Sequence, residues 1–333
     1  MQPKIEEKIL EVIDLKKYFP IRGGIFSKSA GNVHAVNVHA VDGVSFWVKR
    51  GEVLGLVGES GCGKTTIGRL ILRLMEPTSG QIKFEGKDLS FLNREEMQKL
   101  RQKMTVIFQD PYAALDPRMS VERIISEPLK IHKVCRSSSE VRDRVAQVLQ
   151  RVGLRPEHMS LYPHQFSGGQ RQRIAIARTL VLNPSFIIAD EPVSALDVSI
   201  QAQILNLLRD LQNEFNLTYL FIAHDLRVVE YMSNRVAVMY LGRIMEMACV
   251  ENIYSRPRHP YTEALLSAVP MPDPKIQKKR ITLYDDVPSP INPPSGCVFH
   301  PRCFYRQEDC ERIIPDFKEI EPDHYISCHH PLN

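Results

Sequence analysis

The residues Gly58-Glu59-Ser60-Gly61-Cys62-Gly63-Lys64-Thr65-Thr66 have the types and spacing to hold phosphate. In G-x-x-x-x-G-K-T, glycines let successive backbone N–H groups turn inward around an anion. Lys64 can reach β- and γ-phosphates, and the Thr65 hydroxyl can ligate Mg²⁺. The run Val53–Val57 before it reads as a buried strand, and Thr66–Leu74 after it as a helix whose N-terminus favours the same charge. Asp190 and Glu191 close another apolar run, Phe186–Ala189. There Asp190 can face the metal and Glu191 can polarise an attacking water. A bare Asp-Glu pair is an ordinary acidic turn, but beside a phosphate loop it reads as hydrolytic chemistry. Ser167-Gly168-Gly169-Gln170 opens a further helix with small residues, a second helix start suited to phosphate, although alone it could be a flexible cap. His224 follows the apolar run Thr218–Ile222.

A separate constellation lies near the C-terminus. Cys297, Cys303, Cys310 and Cys328 are spaced C-x₅-C-x₆-C-x₁₇-C in a Pro-rich stretch. Four thiolates suit either a [4Fe–4S] cluster or tetrahedral zinc. Paired C-x₂-C knuckles are absent and the wider spacing suits a cluster, whereas His300, His324, His329 and His330 keep a Cys/His zinc site open. No metal at all is the third reading. Cys62, Cys135 and Cys249 are scattered and read as ordinary thiols.

Strands and helices alternate along most of the chain, which predicts a largely parallel sheet covered by helices, with ligands at the carboxyl ends of its strands. Gly58, Asp190 and His224, each at a strand end, are then candidates for one site. From about 110 to 182 no convincing strand occurs, so this stretch reads as an inserted helical subdomain. Its helix Ser139–Val152 has Val141, Val145, Val148, Leu149 and Val152 on one face, and Gly153 stands at its C-cap. Val198–Phe215 is a longer amphipathic helix with Ile200, Ile204, Leu207, Leu208, Leu211 and Phe215 inward. Gly23–Asn32 reads as a loop, and the near-duplication of Val33–Asn37 in Val38–Asp42 as a strand edge with a local insertion. Prolines accumulate from Ser255, which places a boundary near Val269.

The 333 residues suggest roughly two domains. A net charge of +4 argues neither for nucleic acid nor for a membrane surface. Met1–Leu15, with Lys4, Glu6, Glu7, Lys8 and Glu11, is neither a signal nor a transit peptide. Without an apolar run of about 18 residues nothing spans a bilayer, so a membrane process would need other chains to do so. The cytoplasm is the expected compartment, and it disfavours disulfides.

Taken in order, the phosphate loop, Gln109, Ser167–Gln170, Asp190-Glu191, Ser194-Ala195-Leu196-Asp197 and His224 resemble the nucleotide-binding subunits of ABC transporters over residues 9–250. The resemblance implies an α/β P-loop NTPase core of RecA-like type. It adds an antiparallel β edge subdomain, an inserted α-helical subdomain and a small irregular Cys-containing C-terminal region. It implies that Phe19 stacks on adenine and that Gln109 senses metal and nucleotide. Ser167–Gln170 would bind the γ-phosphate held by a second ATPase subunit, Asp197 would communicate across that interface, and His224 would contact the γ-phosphate. Phe166 stands where Leu is usual, and Ala189 where a larger apolar residue is common. Ser255–Thr262, Val269–Pro274, Pro288–Cys297 and Phe299–Cys303 resemble the C-terminal region of oligopeptide and dipeptide importer ATPases, more the F-type than the D-type subunit. This divides the chain into an ATP-binding domain, 1–269, and a C-terminal region, 270–333. The resemblance further implies an iron–sulfur cluster at the four cysteines and two transmembrane permease subunits. It also implies a related or identical second ATPase, an extracytoplasmic peptide-binding protein and a position on the cytoplasmic face of the membrane. The rival expectation is an ABC-type ATPase that works without a membrane partner, on nucleic acid or ribosomes. A tandem ATPase domain, basic arm or coiled-coil insert would favour it, and none is present.

Overall fold

A computed structural model describes residues 7–21, 36–269, 281–283 and 286–333. The expected loop at 23–32, the first part of the duplication (33–35) and most of the proline run at 269–274 lie outside the described residues. In chain order, β1 (Lys8–Ile21), β2 (Val36–Lys49) and β3 (Val53–Val57) precede α1 (Lys64–Ile71), β4 (Ser79–Phe84) and β5 (Lys87–Asp88). α2 (Arg94–Leu100) and β6 (Met104–Ile107) lead into α3 (Pro111–Ala114), α4 (Val121–Ile131), α5 (Ser138–Arg151) and α6 (Gly168–Leu180). β7 (Phe186–Asp190), α7 (Val198–Phe215), β8 (Thr218–Ile222), α8 (Leu226–Met232) and β9 (Arg235–Tyr240) alternate next. β10 (Arg243–Cys249), α9 (Val250–Ser255), α10 (Pro260–Ser267), α11 (Glu308–Arg312), β11 (Lys318–Glu321) and β12 (His324–Ile326) complete the order.

The chain forms two compact units, one of residues 1–9, 48–53 and 88–223, the other of 10–47, 54–87 and 224–333. In the first, β6, β7 and β8 run parallel, with Met104 opposite Phe186 and Asp190 opposite Ile222. β8 is buried throughout and β7 up to Ala189, as the continuous apolar runs of inner parallel strands require. The segment between β6 and β7 is helical. Ser120 and Ser137 cap α4 and α5 by accepting from Arg123 N–H and Glu140 N–H. Val145, Val148 and Leu149 turn the inner face of α5 into the core, as its spacing predicts. α7 buries Ile204, Leu205, Leu208 and Leu211. Truncating fully buried Leu208 to Ala would cost about 2–5 kcal/mol.

In the second unit, β2, β1 and β4 lie side by side, with β1 and β4 antiparallel and Leu10 opposite Phe84. This is the expected β edge. A second set runs β3, β9, β10, β12, β11. β3 and β9 are parallel, with Leu54 opposite Arg235, and the pairings beyond β9 are antiparallel. The C-terminal region is thus less irregular than its composition suggests, because its hairpin extends a sheet through Tyr325 opposite Met247. It also contributes core: Phe299 is 1% exposed and packs against Tyr240 and Tyr261.

Candidate active site

The second unit builds the phosphate loop between β3 and α1. Gly58 and Gly63 have φ of 153° and 107°. A Cβ on Gly58 would sit 2.0 Å from the Met239 carbonyl oxygen, and one on Gly63 would sit 2.2 Å from that of Ala40. Only glycine lets β9 and β2 press the loop this closely. The Cys62 carbonyl accepts from Gly242 N–H at 3.0 Å, and the Tyr261 hydroxyl accepts from Glu59 N–H at 3.2 Å. Ser60 and Gly61 are exposed at the tip, and Thr65 and Thr66 are half-buried at the helix start. Lys64 is 6% exposed and donates to the carbonyls of Gly58 and Glu59 at 2.8 and 3.0 Å. Burial pushes the Cys62 thiol up, against the pull of the Lys64 ammonium. In β1, Tyr18 is already committed, its hydroxyl donating to Asp42 and its ring 4.2 Å from that of His39. Phe19 beside it is 37% exposed, with Lys17 Nζ 5.1 Å from its ring centroid. His224 is exposed just before α8.

The first unit builds the carboxylate pair at the end of β7. Gln109 Nε2 donates to the Glu191 carboxylate at 2.9 Å. Glu191 holds φ of 48°, a left-handed conformation uncommon for a non-glycine residue, while its N–H donates to the Ile222 carbonyl at the end of β8. Backbone strain of this kind collects at functional positions. Asp190 is the last residue of β7 and half-buried. Ser167 caps α6 in a capping box: its Oγ accepts from Gln170 N–H, and the Gln170 side chain accepts from Ser167 N–H. A Cβ on Gly169 would lie 2.5 Å from Ile200 Cγ2, so this glycine sets the approach of α6 to α7. Gln201 donates to the carbonyls of Val193 and Leu196 at 3.0 Å each, fixing the turn that ends in exposed Asp197, the N-cap of α7.

The four C-terminal cysteines face one small enclosed pocket, shared with His300, Tyr305, His329 and His330. Cys297 N–H donates to the Cys310 carbonyl at 2.8 Å. Gly296, at φ 63°, makes this contact achievable, since a Cβ there would lie 2.5 Å from the same oxygen. Burial raises all of Cys297, Cys303 and Cys328, the last two to about 11 and about 12, and the neighbouring thiols push in the same direction. His330 Nε2 sits 2.9 Å from the Asp309 carboxylate, and one ligand atom each of Asp309, Cys310 and His330 lies within 4.8 Å of the others. Among the described residues no three of the four sulfurs converge so tightly. Between Cys297 and Cys303 stands a residue to which the Phe299–Cys303 resemblance assigns no role. Arg302, 7% exposed, donates to both oxygens of Glu59, Nη1 to Oε2 at 2.8 Å and Nη2 to Oε1 at 3.2 Å.

Residues 41–194 match the model of the ABC transporter family, and residues 245–310 that of the oligopeptide/dipeptide transporter C-terminal region. The chain is 54% identical to the oligopeptide transport ATP-binding protein AppF of Bacillus subtilis, over 97% of this chain and 98% of the relative. This chain belongs to the ABC transporter ATP-binding proteins of oligopeptide/dipeptide type. This ABC ATPase is also 48% identical to the dipeptide transport ATP-binding protein DppF of Haemophilus influenzae, over 97% and 96% of the two chains. Among solved structures, its fold resembles the dimeric, post-hydrolysis state of the ATP-binding cassette MJ0796 bound to ADP and Pi. The TM-score is 0.62 and the identity 28%, covering 72% of this chain and 98% of the cassette.

Proposed function

We propose that this chain is the ATP-hydrolysing subunit of an importer of dipeptides or oligopeptides. The observation that carries this reading is a physical join: a C-terminal region of oligopeptide/dipeptide type is fastened through Tyr261 and Arg302 to the phosphate loop. Kinship with named oligopeptide and dipeptide transport ATP-binding proteins supports it over nearly the whole length. Two permease subunits supply the path across the membrane; among the described residues of this chain no helix is long and apolar enough to cross one. The chain then works at the cytoplasmic face, with an extracytoplasmic binding protein delivering the peptide.

ATP is held between this chain and a second ATPase subunit, related or identical, with Phe19 against adenine and Gly58–Thr66 around the phosphates. Ser167–Gln170 and Asp197 serve the nucleotide of the opposite subunit. Glu191 takes a proton from the attacking water, oriented by Gln109, while His224 steadies the γ-phosphate and Lys64 offsets its developing charge. The Thr65 hydroxyl, the Gln109 amide and the Asp190 carboxylate are oxygen donors of the kind hard cations take, and they would hold Mg²⁺, which supplies charge neutralisation. At the cysteine pocket, tetrahedral zinc with Zn–S near 2.3 Å needs sulfurs about 3.8 Å apart. Among the described residues no three of the four sulfurs come within 4.8 Å of one another, and a [4Fe–4S] cluster, which takes its four thiolates farther apart than one zinc ion does, would serve as a staple for the C-terminal region. Anaerobic preparations should then be brown, with iron and acid-labile sulfide; a colourless protein with stoichiometric zinc would sink that assignment.

The decisive experiment deletes the gene and measures peptide uptake. Uptake should be lost, and restored by the wild-type chain but not by Glu191→Gln. Unchanged uptake, with the chain sedimenting with ribosomes, would overturn the importer reading.

A further inference from the structure

We propose that Arg302 is a positioning residue for ATP, acting through Glu59 to hold the phosphate loop in its binding geometry. The inference rests on the nucleotide reading of Gly58–Thr65 and adds a residue from outside the ATP-binding motifs.

The geometry is specific. Arg302 ends a short 3₁₀ turn, His300–Arg302, directly before Cys303. Its guanidinium meets the Glu59 carboxylate as a two-pronged fork, the arrangement that adds orientation to attraction. Nη1 lies 3.4 Å from the Tyr240 hydroxyl, at the end of β9. Burial opposes the Arg302 charge, and the Glu59 and Tyr240 contacts more than offset it. A buried guanidinium and a mostly buried carboxylate are worth their desolvation only as a matched pair.

Glu59 occupies the second position of the phosphate loop, next to Gly58 and Ser60. Its N–H is fixed by the Tyr261 hydroxyl and its carbonyl accepts from Lys64 Nζ. Three groups of one residue are therefore engaged, each by a different partner, and the side-chain anchor is the one that comes from the cysteine region. Without it, Glu59 would leave a carboxylate beside the place where ATP brings several negative charges. Arg302 thus both fixes the loop and neutralises a charge that would repel the nucleotide.

The test is a double-mutant cycle on MgATP binding by the full-length chain, read by equilibrium titration. Arg302→Ala should weaken binding roughly tenfold, the size of a typical coupling between linked sites, and Arg302→Lys less, since an ammonium cannot form the fork. Glu59→Gln removes the charge that Arg302 neutralises, so Arg302→Ala should cost little more in that background. Thermal unfolding of each variant, measured alongside, reports any general loss of structure. Wild-type affinity in Arg302→Ala would overturn the proposal. So would an equal loss with and without Glu59, which would mean that Arg302 acts only on the fold. A wild-type chain that binds no MgATP would remove the nucleotide reading as well, a result distinct from both.

Discussion

Gln109 and Glu191, 82 residues apart, meet through one hydrogen bond of 2.9 Å from the amide to the carboxylate. The bond joins the loop after β6 to the end of β7 and restrains the carboxylate in a backbone conformation that most residues avoid. If Glu191 is the base, Glu191→Gln should keep MgATP binding and lose roughly 10²–10⁴ in turnover, the usual share of general-base catalysis. Gln109→Ala should cost less, about 1 kcal/mol of lost ordering. Single-turnover hydrolysis beside equilibrium binding separates the two effects, and near-normal turnover in Glu191→Gln would remove the assignment.

Gly63→Ala should abolish MgATP binding. The new Cβ would lie 2.2 Å from the Ala40 carbonyl oxygen on a backbone with φ of 107°, so the loop must move. The strain should also lower stability by about 1–3 kcal/mol. Nucleotide titration and thermal unfolding of the same preparation check both, and unaltered binding would contradict the tight packing of the loop.

Gly169→Ala probes the segment proposed to act on the opposite subunit. Its Cβ would collide with Ile200 and push α6 from α7. Hydrolysis and ATP-driven association of two chains should fall, while MgATP binding by a single chain persists. Adding Ile200→Ala should restore much of the loss, because the two changes share one contact. Sedimentation with and without MgATP reads this directly; failure of the second change to rescue would discard the steric explanation.

His259 gives the fold an acid limit. It is 1% exposed, and its Nδ1 accepts from Tyr261 N–H at 3.0 Å as the N-cap of α10. Burial lowers it from 6.5 to about 4, with the Glu246 carboxylate pulling the other way. Between those values the unfolded chain takes up a proton that the folded chain refuses. The stabilisation is therefore complete above pH 6.5 and is lost as pH falls towards 4, about 3 kcal/mol across the window. Denaturant unfolding at pH 5 and pH 7.5 should show a larger acid loss in the wild type than in His259→Asn, which can still cap the helix. Identical losses would refute the assignment.

Local patterns located much of this molecule. The strand before the phosphate loop and α7 lie where the apolar run and the 3.6-residue stripe put them, although in α7 Ile200, Leu207 and Phe215 are only half-buried while Leu205, outside the stripe, is buried. The hairpin β11–β12 carries no strand pattern of its own, for a physical reason. Lys318-Glu319-Ile320-Glu321 has the charge of a guarded sheet edge, and it becomes a strand by pairing with residues that themselves pair with β10. Arg302 and Tyr261 stand in runs that resemble the importer tail, but their contacts with Glu59 are not legible there, because it lies 243 and 202 residues away along the chain. No spacing rule reaches that far.

Glu246 is fully buried in β10, its carboxylate accepting from the Arg258 and His259 N–H groups and lying 2.7 Å from His324 Nε2. Two of these three contacts come from α10's entry; the third comes from β12. A chain interrupted before residue 324, by a nonsense mutation or a protease, would keep every nucleotide-binding motif and still be left with a sealed-in carboxylate short of a partner. Such a product should unfold more readily than the full chain, and be degraded sooner, because one partner of a buried contact is gone.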